Sequence, residues 1–316
     1  MAVTIPARDR QFPGWLEPVG RIGQGVTTLF LYLGGLFVLG ASAWSSLLRP
    51  RTGLHRTQAE QATMRELWWM LSAGFPIVGL IHVGIGSFLS MQAYFGSTFV
   101  DGTGAVVGVG LVRNLASLLT GLTLAGMLSV RIVGAPGRTS GRSPSGSDLS
   151  PPRAGRGSPV ASPPFASGTV SGGEAAAQLL AAAIACPLLS LWGAAVGTIV
   201  GWQTSGTLMG LSSELFFLML LRMLWFRDVL GILVKGVIFG TTIATVCCHE
   251  RSRRFAAVES AAKCPTAEDP PSPDGPIRRA ACVSMTFVLL TNMTWFLLVY
   301  HAVPIYGPSL LAPPGP

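Results

Sequence analysis

FPIVGLIHVGIGSFLSMQAYF, from Phe75 to Phe95, sits inside a stretch from Leu67 to Val100 that contains no Asp, Glu, Lys or Arg. A helix crosses the hydrocarbon core of a bilayer with about 20 apolar residues, so this stretch spans with residues to spare. The next run, LVRNLASLLTGLTLAGM from Leu111 to Met127, continues the pattern with a single interior charge, Arg113. Further uncharged runs lie at Ile22–Leu48, Asn114–Val130, Ala175–Ser213 and from Ala280 onward, while Val229–Cys248 is broken only by Lys235. With 49% hydrophobic and 11% charged residues, the chain has too little polar surface to solvate a globule of its size. The fold class expected is all-α: a polytopic membrane protein.

The net charge of +8 does not indicate nucleic acid, because the arginines lie between apolar runs without an aromatic-basic recognition motif. Their distribution is topological. Arg49, Arg51, Arg56 and Arg65 precede the run at Leu67; Arg131, Arg138, Arg142, Arg153 and Arg156 follow the second; Arg251, Arg253, Arg254, Lys263, Arg278 and Arg279 precede the last. These three segments are expected on the cytoplasmic side. The connection Gly96–Gly104 and everything after Arg279 carry neither Lys nor Arg, so they face the other side and the C-terminus lies outside.

Along the chain, residues 1–21 read as a cytoplasmic arm, 22–300 as the membrane domain and 301–316 as a Pro-rich tail. Residues 26–48 suit either a span or a helix lying in the interface. Spans are expected at about 67–95, 106–132, 175–202, 229–248 and 281–300. Thr57–Glu66 is a polar helical lead-in, Leu211–Phe226 an amphipathic or interfacial piece, and His249–Arg279 a charged connection. Residues 134–173, almost wholly Gly, Ser, Pro, Ala and Arg, cannot bury enough apolar surface to order and read as a disordered cytoplasmic loop.

Arg113 and Lys235 are the first functional candidates, because a charge at membrane depth costs several kcal/mol unless it is paired or meets water. Either both snorkel to the interface, or both point inward, where two cations favour an anionic ligand such as a phosphate headgroup. Glu214 and Asp228 are the acids able to neutralise them. Asn114 beside Arg113 and Gln92 at the outer end of the first confident span are further candidate ligand contacts. His82, in mid-span, is expected as a neutral imidazole bonded to a neighbouring helix, with proton relay as the alternative. Trp68, Trp69, Trp202 and Trp225 read as interface anchors. Cys247, Cys248, His249 and Cys264 have metal-binding atoms but lack two short ligand pairs, so neither metal nor cofactor is expected.

The chain has no Gly-x-x-x-x-Gly-Lys-[Ser/Thr] loop, no His-Glu-x-x-His helix and no Gly-x-Ser-x-Gly elbow. It is therefore not expected to be an enzyme, and energy for any transport comes from a partner or a gradient.

Gly74-Phe75-Pro76-Ile77-Val78, Gly84, Gly86 and Gln92-Ala93-Tyr94 resemble the first-span pattern of MlaE-type permeases, S-L-P-I-V followed by spaced glycines and a Gln. Leu111 to Leu122 with Ala125-Gly126-Met127 is similar to that family's L-x-R-E-L-G-P-x-L-T-A-L-x-x-A-G-R. Pro187-Leu188-Leu189 with Val196-Gly197, and Leu233 to Gly240, resemble its third and fourth spans. The resemblance implies an N-terminal interfacial helix plus five transmembrane helices in a bacterial inner membrane. It further implies a phospholipid cargo, a second permease chain as homodimer or heterodimer, an ABC ATPase subunit and an MCE-domain protein. Where the family has Arg-Glu this chain has Arg113-Asn114, and the family's coupling segment has no counterpart between Arg131 and Gly173. The alternative expectation is therefore a degenerate, non-transporting membrane scaffold for an MCE-type complex.

Overall fold

The computed structural model describes residues 17–48, 54–96, 103–135, 172–262 and 274–301. Most of the N-terminal arm, nearly all of the Gly/Ser/Pro/Arg loop, the centre of the His249–Arg279 connection and the tail after His301 fall outside these residues. Eight α-helices occur among them: α1 Glu17–Leu48, α2 Leu54–Gly96, α3 Thr103–Gly110, α4 Ala116–Leu128, α5 Gly172–Met209, α6 Ser213–Met223, α7 Phe226–Ala262 and α8 Asp274–Phe296. Helices α3 and α4 form one rod, joined by a π turn at Leu111–Leu115 and ended by another at Ser129–Val133; α8 also closes in a π turn, Leu297–His301.

Among the described residues, six stretches are long and apolar enough to cross a membrane: Ile22–Ser46, Thr57–Ala93, Val107–Val133, Gly173–Leu208, Phe226–Val258 and Asp274–Val299. The chain is an all-α, polytopic integral membrane protein. The first stretch is as apolar as the rest, yet α1 leaves Phe30, Leu31, Phe37 and Val38 bare while packing on α5 and α7. Helix α2 absorbs the polar lead-in and carries Pro76 within it. Helix α7 runs fourteen residues past Cys248, about 21 Å at the α-helical rise, and α8 begins at Asp274, so both ends of the expected charged connection are helix.

Helix α5 lies at the centre, against α1, α2, α4 and α7. Apolar side chains gain nothing by leaving lipid for one another, so close backbone approach must supply the packing energy. Small residues provide it here. A Cβ on Gly86 would collide with the Gly197 carbonyl, and one on Gly240 with the Ala182 carbonyl. These contacts lock α2 to α5 and α5 to α7. Around them Leu124, Leu128, Ile132, Leu189, Phe239, Ile243 and Val288 form the main apolar core.

Candidate functional site

Two polar clusters hold the α3–α4 rod, one at the junction of its two helices and one at its end, and each is built on a π turn. Arg113 lies in the first turn and Arg131 in the second, eighteen residues or about 27 Å apart along the rod. Such turns interrupt the i−4 ladder and recur at functional sites.

At the junction, Arg113 Nε donates to Asp228 Oδ2 at 3.0 Å and its Nη2 to the Met223 carbonyl at 2.9 Å. Asp228 stands in the first turn of α7, where a carboxylate also meets the positive end of the helix dipole. The Trp225 amide donates to the same Oδ2 at 3.0 Å. Lys235, two turns along α7, donates from Nζ to the Arg113 carbonyl at 2.5 Å. Its ammonium thus reaches the backbone of the π turn. Asp228 and Lys235 are each 1% exposed, whereas the Arg113 side chain is 25% exposed. Asn292 of α8 donates from Nδ2 to Asn114 Oδ1 at 2.7 Å, tying the same turn to a third helix.

Arg113, Asn114 and Lys235 are therefore brought together, and Gln92 is not: it lies exposed near the end of α2, outside this network. The acid missing beside Arg113 in sequence is Asp228. Asn292 was not singled out from the sequence; the available signal was an amide inside the otherwise apolar run of α8.

His82 is buried, and its Nδ1–H donates to the Val78 carbonyl of its own helix at 2.8 Å. The ring fills the space over Gly193, whose absent Cβ would lie 2.6 Å from Cε1. The cysteine and histidine group does not converge. Cys248 Sγ donates to Gln178 Oε1 at 3.0 Å, Cys247 faces Ser129, His249 meets the Tyr32 ring edge-on, and Cys264 lies outside the described residues.

At the end of the rod, Arg131 makes a two-pronged contact with Glu66, at 3.1 and 3.5 Å, while its guanidinium lies 4.0 Å from the centre of the Trp69 ring. Trp69 is thus the stacking partner of an arginine. Arg251 Nη1 donates to Glu174 Oε1 at 2.8 Å, Glu250 lies between Arg253 and Arg279, and Arg254 donates to the Val133 carbonyl. These pairings explain how α7 keeps its helical form beyond Cys248. The Arg131–Glu66 and Arg251–Glu174 pairs flank a cavity of about 280 Å³ lined by Arg65, Glu66, Arg131, Glu174, Gln178 and Arg251, among others.

No curated protein matches the chain. Residues 174–262 match the family model for Permease MlaE, so the segment from α5 to the end of α7, with Asp228 and Lys235 inside it, is similar to that family of membrane permeases.

Proposed function

We propose that the chain is the permease subunit of an ABC-type phospholipid transporter, with ATP hydrolysed by a separate subunit and an MCE-domain protein receiving or supplying the lipid on the outer side. The observation carrying this reading is the permease match over residues 174–262, which falls on the central helix α5 and on the charged helix α7. The second permease chain meets the bare apolar face of α2, where Leu80, Phe88 and Phe95 are 74%, 57% and 81% exposed. Lipid passes through the cavity formed between the two chains.

Arg113 is the group offered to a phosphate headgroup, because it keeps a quarter of its side chain exposed while Asp228 fixes its orientation. Arg113 and Lys235 bring two basic side chains to the same π turn, and it is this pairing that would attract an anion. Asn114 and Lys235 hold the π turn that carries Arg113, and Gln92 contributes a polar contact from α2. In this reading the Arg131 end faces the cytoplasm and the Arg113 end the outer side of a bacterial inner membrane, in keeping with the positive charge of the connections on the Arg131 side.

The test is affinity purification of the tagged chain in mild detergent, with mass spectrometry of co-purifying proteins and lipids, followed by reconstituted lipid transfer. Recovery of an ATPase and transfer that falls in Arg113→Gln support the reading; transfer unchanged in Arg113→Gln removes the headgroup assignment. The missing coupling segment favours one second reading, a scaffold that keeps the MCE-type contact without transport. Recovery of an MCE-domain protein with no ATPase in any condition would select it.

A further inference from the structure

We propose that the groove enclosed by α1, α7 and α8 holds one acyl chain of an acidic phospholipid, whose phosphate is held by Arg253 and Arg279 on the same side of the membrane as Arg131. The groove measures about 290 Å³ and is lined by Leu33, Leu36 and Phe37 of α1, Val246 of α7 and Phe287 of α8, with three threonines of α7 between them. Thr241, Thr242 and Thr245 donate their hydroxyls to the Val237, Ile238 and Thr241 carbonyls of their own helix. A water needs two or more polar partners, so this lining suits hydrocarbon better. Helix α1 is held over the groove by two close approaches to α7: a Cβ on Gly35 would strike the His249 ring, and one on Gly40 would touch Thr245.

Within a bilayer this face meets lipid or another protein, and two observations favour lipid. The first is size. One turn of α-helix, about 10 Å across and 5.4 Å long, occupies roughly 400 Å³, more than the groove offers, whereas a single hydrocarbon chain needs no such width. The second is charge at the groove's end. Arg253 stands two turns beyond Val246 on α7 and Arg279 two turns before Phe287 on α8, each about 10–12 Å along its axis. Both approach Glu250, at 3.5 and 3.9 Å, and the Arg253 guanidinium lies 5.6 Å from the Tyr32 ring of α1. The neighbouring Arg254 donates to the Val133 carbonyl, which puts this group at the Arg131 end. Glu250 is 1% exposed and does not satisfy the two guanidiniums, which are 46% and 52% exposed; 3.9 Å is beyond hydrogen-bond reach for Arg279. A guanidinium has several N–H donors, so most of them stay open to an oxyanion in the headgroup layer. A lipid with its phosphate there sends its chains about 15 Å inward, half the hydrocarbon thickness, and so into the groove. The site requires a bilayer and not transport, so it stands or fails independently of the function proposed above.

The experiment takes the full chain, purified in mild detergent and stripped of lipid, and follows by native mass spectrometry its retention of added phosphatidylglycerol or phosphatidylcholine. The wild type should retain one phosphatidylglycerol at least about fivefold more tightly than phosphatidylcholine. Arg253→Gln and Arg279→Gln should each weaken that molecule about fivefold, the usual contribution of one cation near an anionic bilayer surface. Thr241→Trp fills the groove and should abolish its retention. Retention equal for the two lipids and unchanged in all three variants is the ordinary lipid belt, and overturns the site. Loss in Thr241→Trp of a co-purifying polypeptide in place of the lipid also overturns it, because a partner's helix is then the occupant. Undiminished phosphatidylglycerol retention in both arginine variants overturns the proposal by itself, so the test survives a Thr241→Trp chain that fails to fold.

Discussion

Asp228 Oδ2 accepts Arg113 Nε at 3.0 Å, joining the π turn between α3 and α4 to the first turn of α7, 115 positions later in the chain. The pair is asymmetric. Asp228 has a fully buried side chain while Arg113 reaches partly outward, so the acid depends on the base more than the reverse. Removing one member of a buried pair costs about 3–5 kcal/mol, because the survivor stays charged and unpaired.

Arg113→Ala should therefore destabilise the fold more than Asp228→Asn, with the loss near 3 kcal/mol for the former given its partial exposure. The double variant should lose less than the sum of the two, leaving a coupling of about 1–3 kcal/mol in a double-mutant cycle. Unfolding in detergent, read by denaturant titration, measures it. Additivity within error would mean that the two side chains do not pair in the folded protein.

Glycine positions divide sharply by what a Cβ would meet. Gly86 faces the Gly197 carbonyl, a backbone atom that cannot rotate away, whereas Gly84 on the same helix has nothing within 4 Å. Gly86→Ala should cost about 1–3 kcal/mol through overpacking, and Gly84→Ala should be neutral within about 0.5 kcal/mol. Yield of monodisperse protein and the unfolding midpoint distinguish them; equal behaviour would contradict the α2–α5 contact.

Asn292 supplies a third comparison. Its amide donates to Asn114 at 2.7 Å while its own Oδ1 is buried without a partner, so the bond is made at some internal cost. Asn292→Val should lower stability by about 0.6–1.7 kcal/mol, the range for one polar bond between membrane helices. Paired substitution of Asn114 and Asn292 by apolar residues should recover part of that loss. No recovery in the double variant would indicate that the two amides act separately.

The helices were legible because long apolar runs announce them: Val229–Cys248 falls wholly inside α7, and the runs beginning at Leu67 and Ala175 supply the apolar length of α2 and α5. What sequence could not give is pairing across distance. Asp228 could be named as an acid able to reach Arg113, but Asn114 beside it suggested an uncompensated cation, and only folding brings α7 to the π turn. The extension of α7 to Ala262 was hidden for the same reason. Its charges look like a solvated connection until Glu250, Glu174, Arg279 and Val133 are seen to receive them. The π turns at Leu111–Leu115 and Ser129–Val133 have no sequence signal, although each contains the basic residue of its segment, Arg113 and Arg131.

The role of α1 decides the parity of the topology. Its apolar stretch, Ile22–Ser46, is long enough to cross, and crossing would make six spans with both termini on one side. An α1 that lies in the interface leaves five crossings and puts the termini on opposite sides. The positive-inside rule favours the second arrangement, which keeps Arg49, Arg51, Arg56 and Arg65 on the cytoplasmic side together with the N-terminal arm. Crossing by α1 would keep those arginines cytoplasmic only by exporting the N-terminal arm with Arg8, Arg10 and Arg21. Reporter fusions at the two ends should therefore give opposite signals: a cytoplasmic fluorophore active at the N-terminus, and a phosphatase that needs the oxidising side active at the C-terminus. The same signal at both ends would show that α1 spans, and that the charge it exports is tolerated.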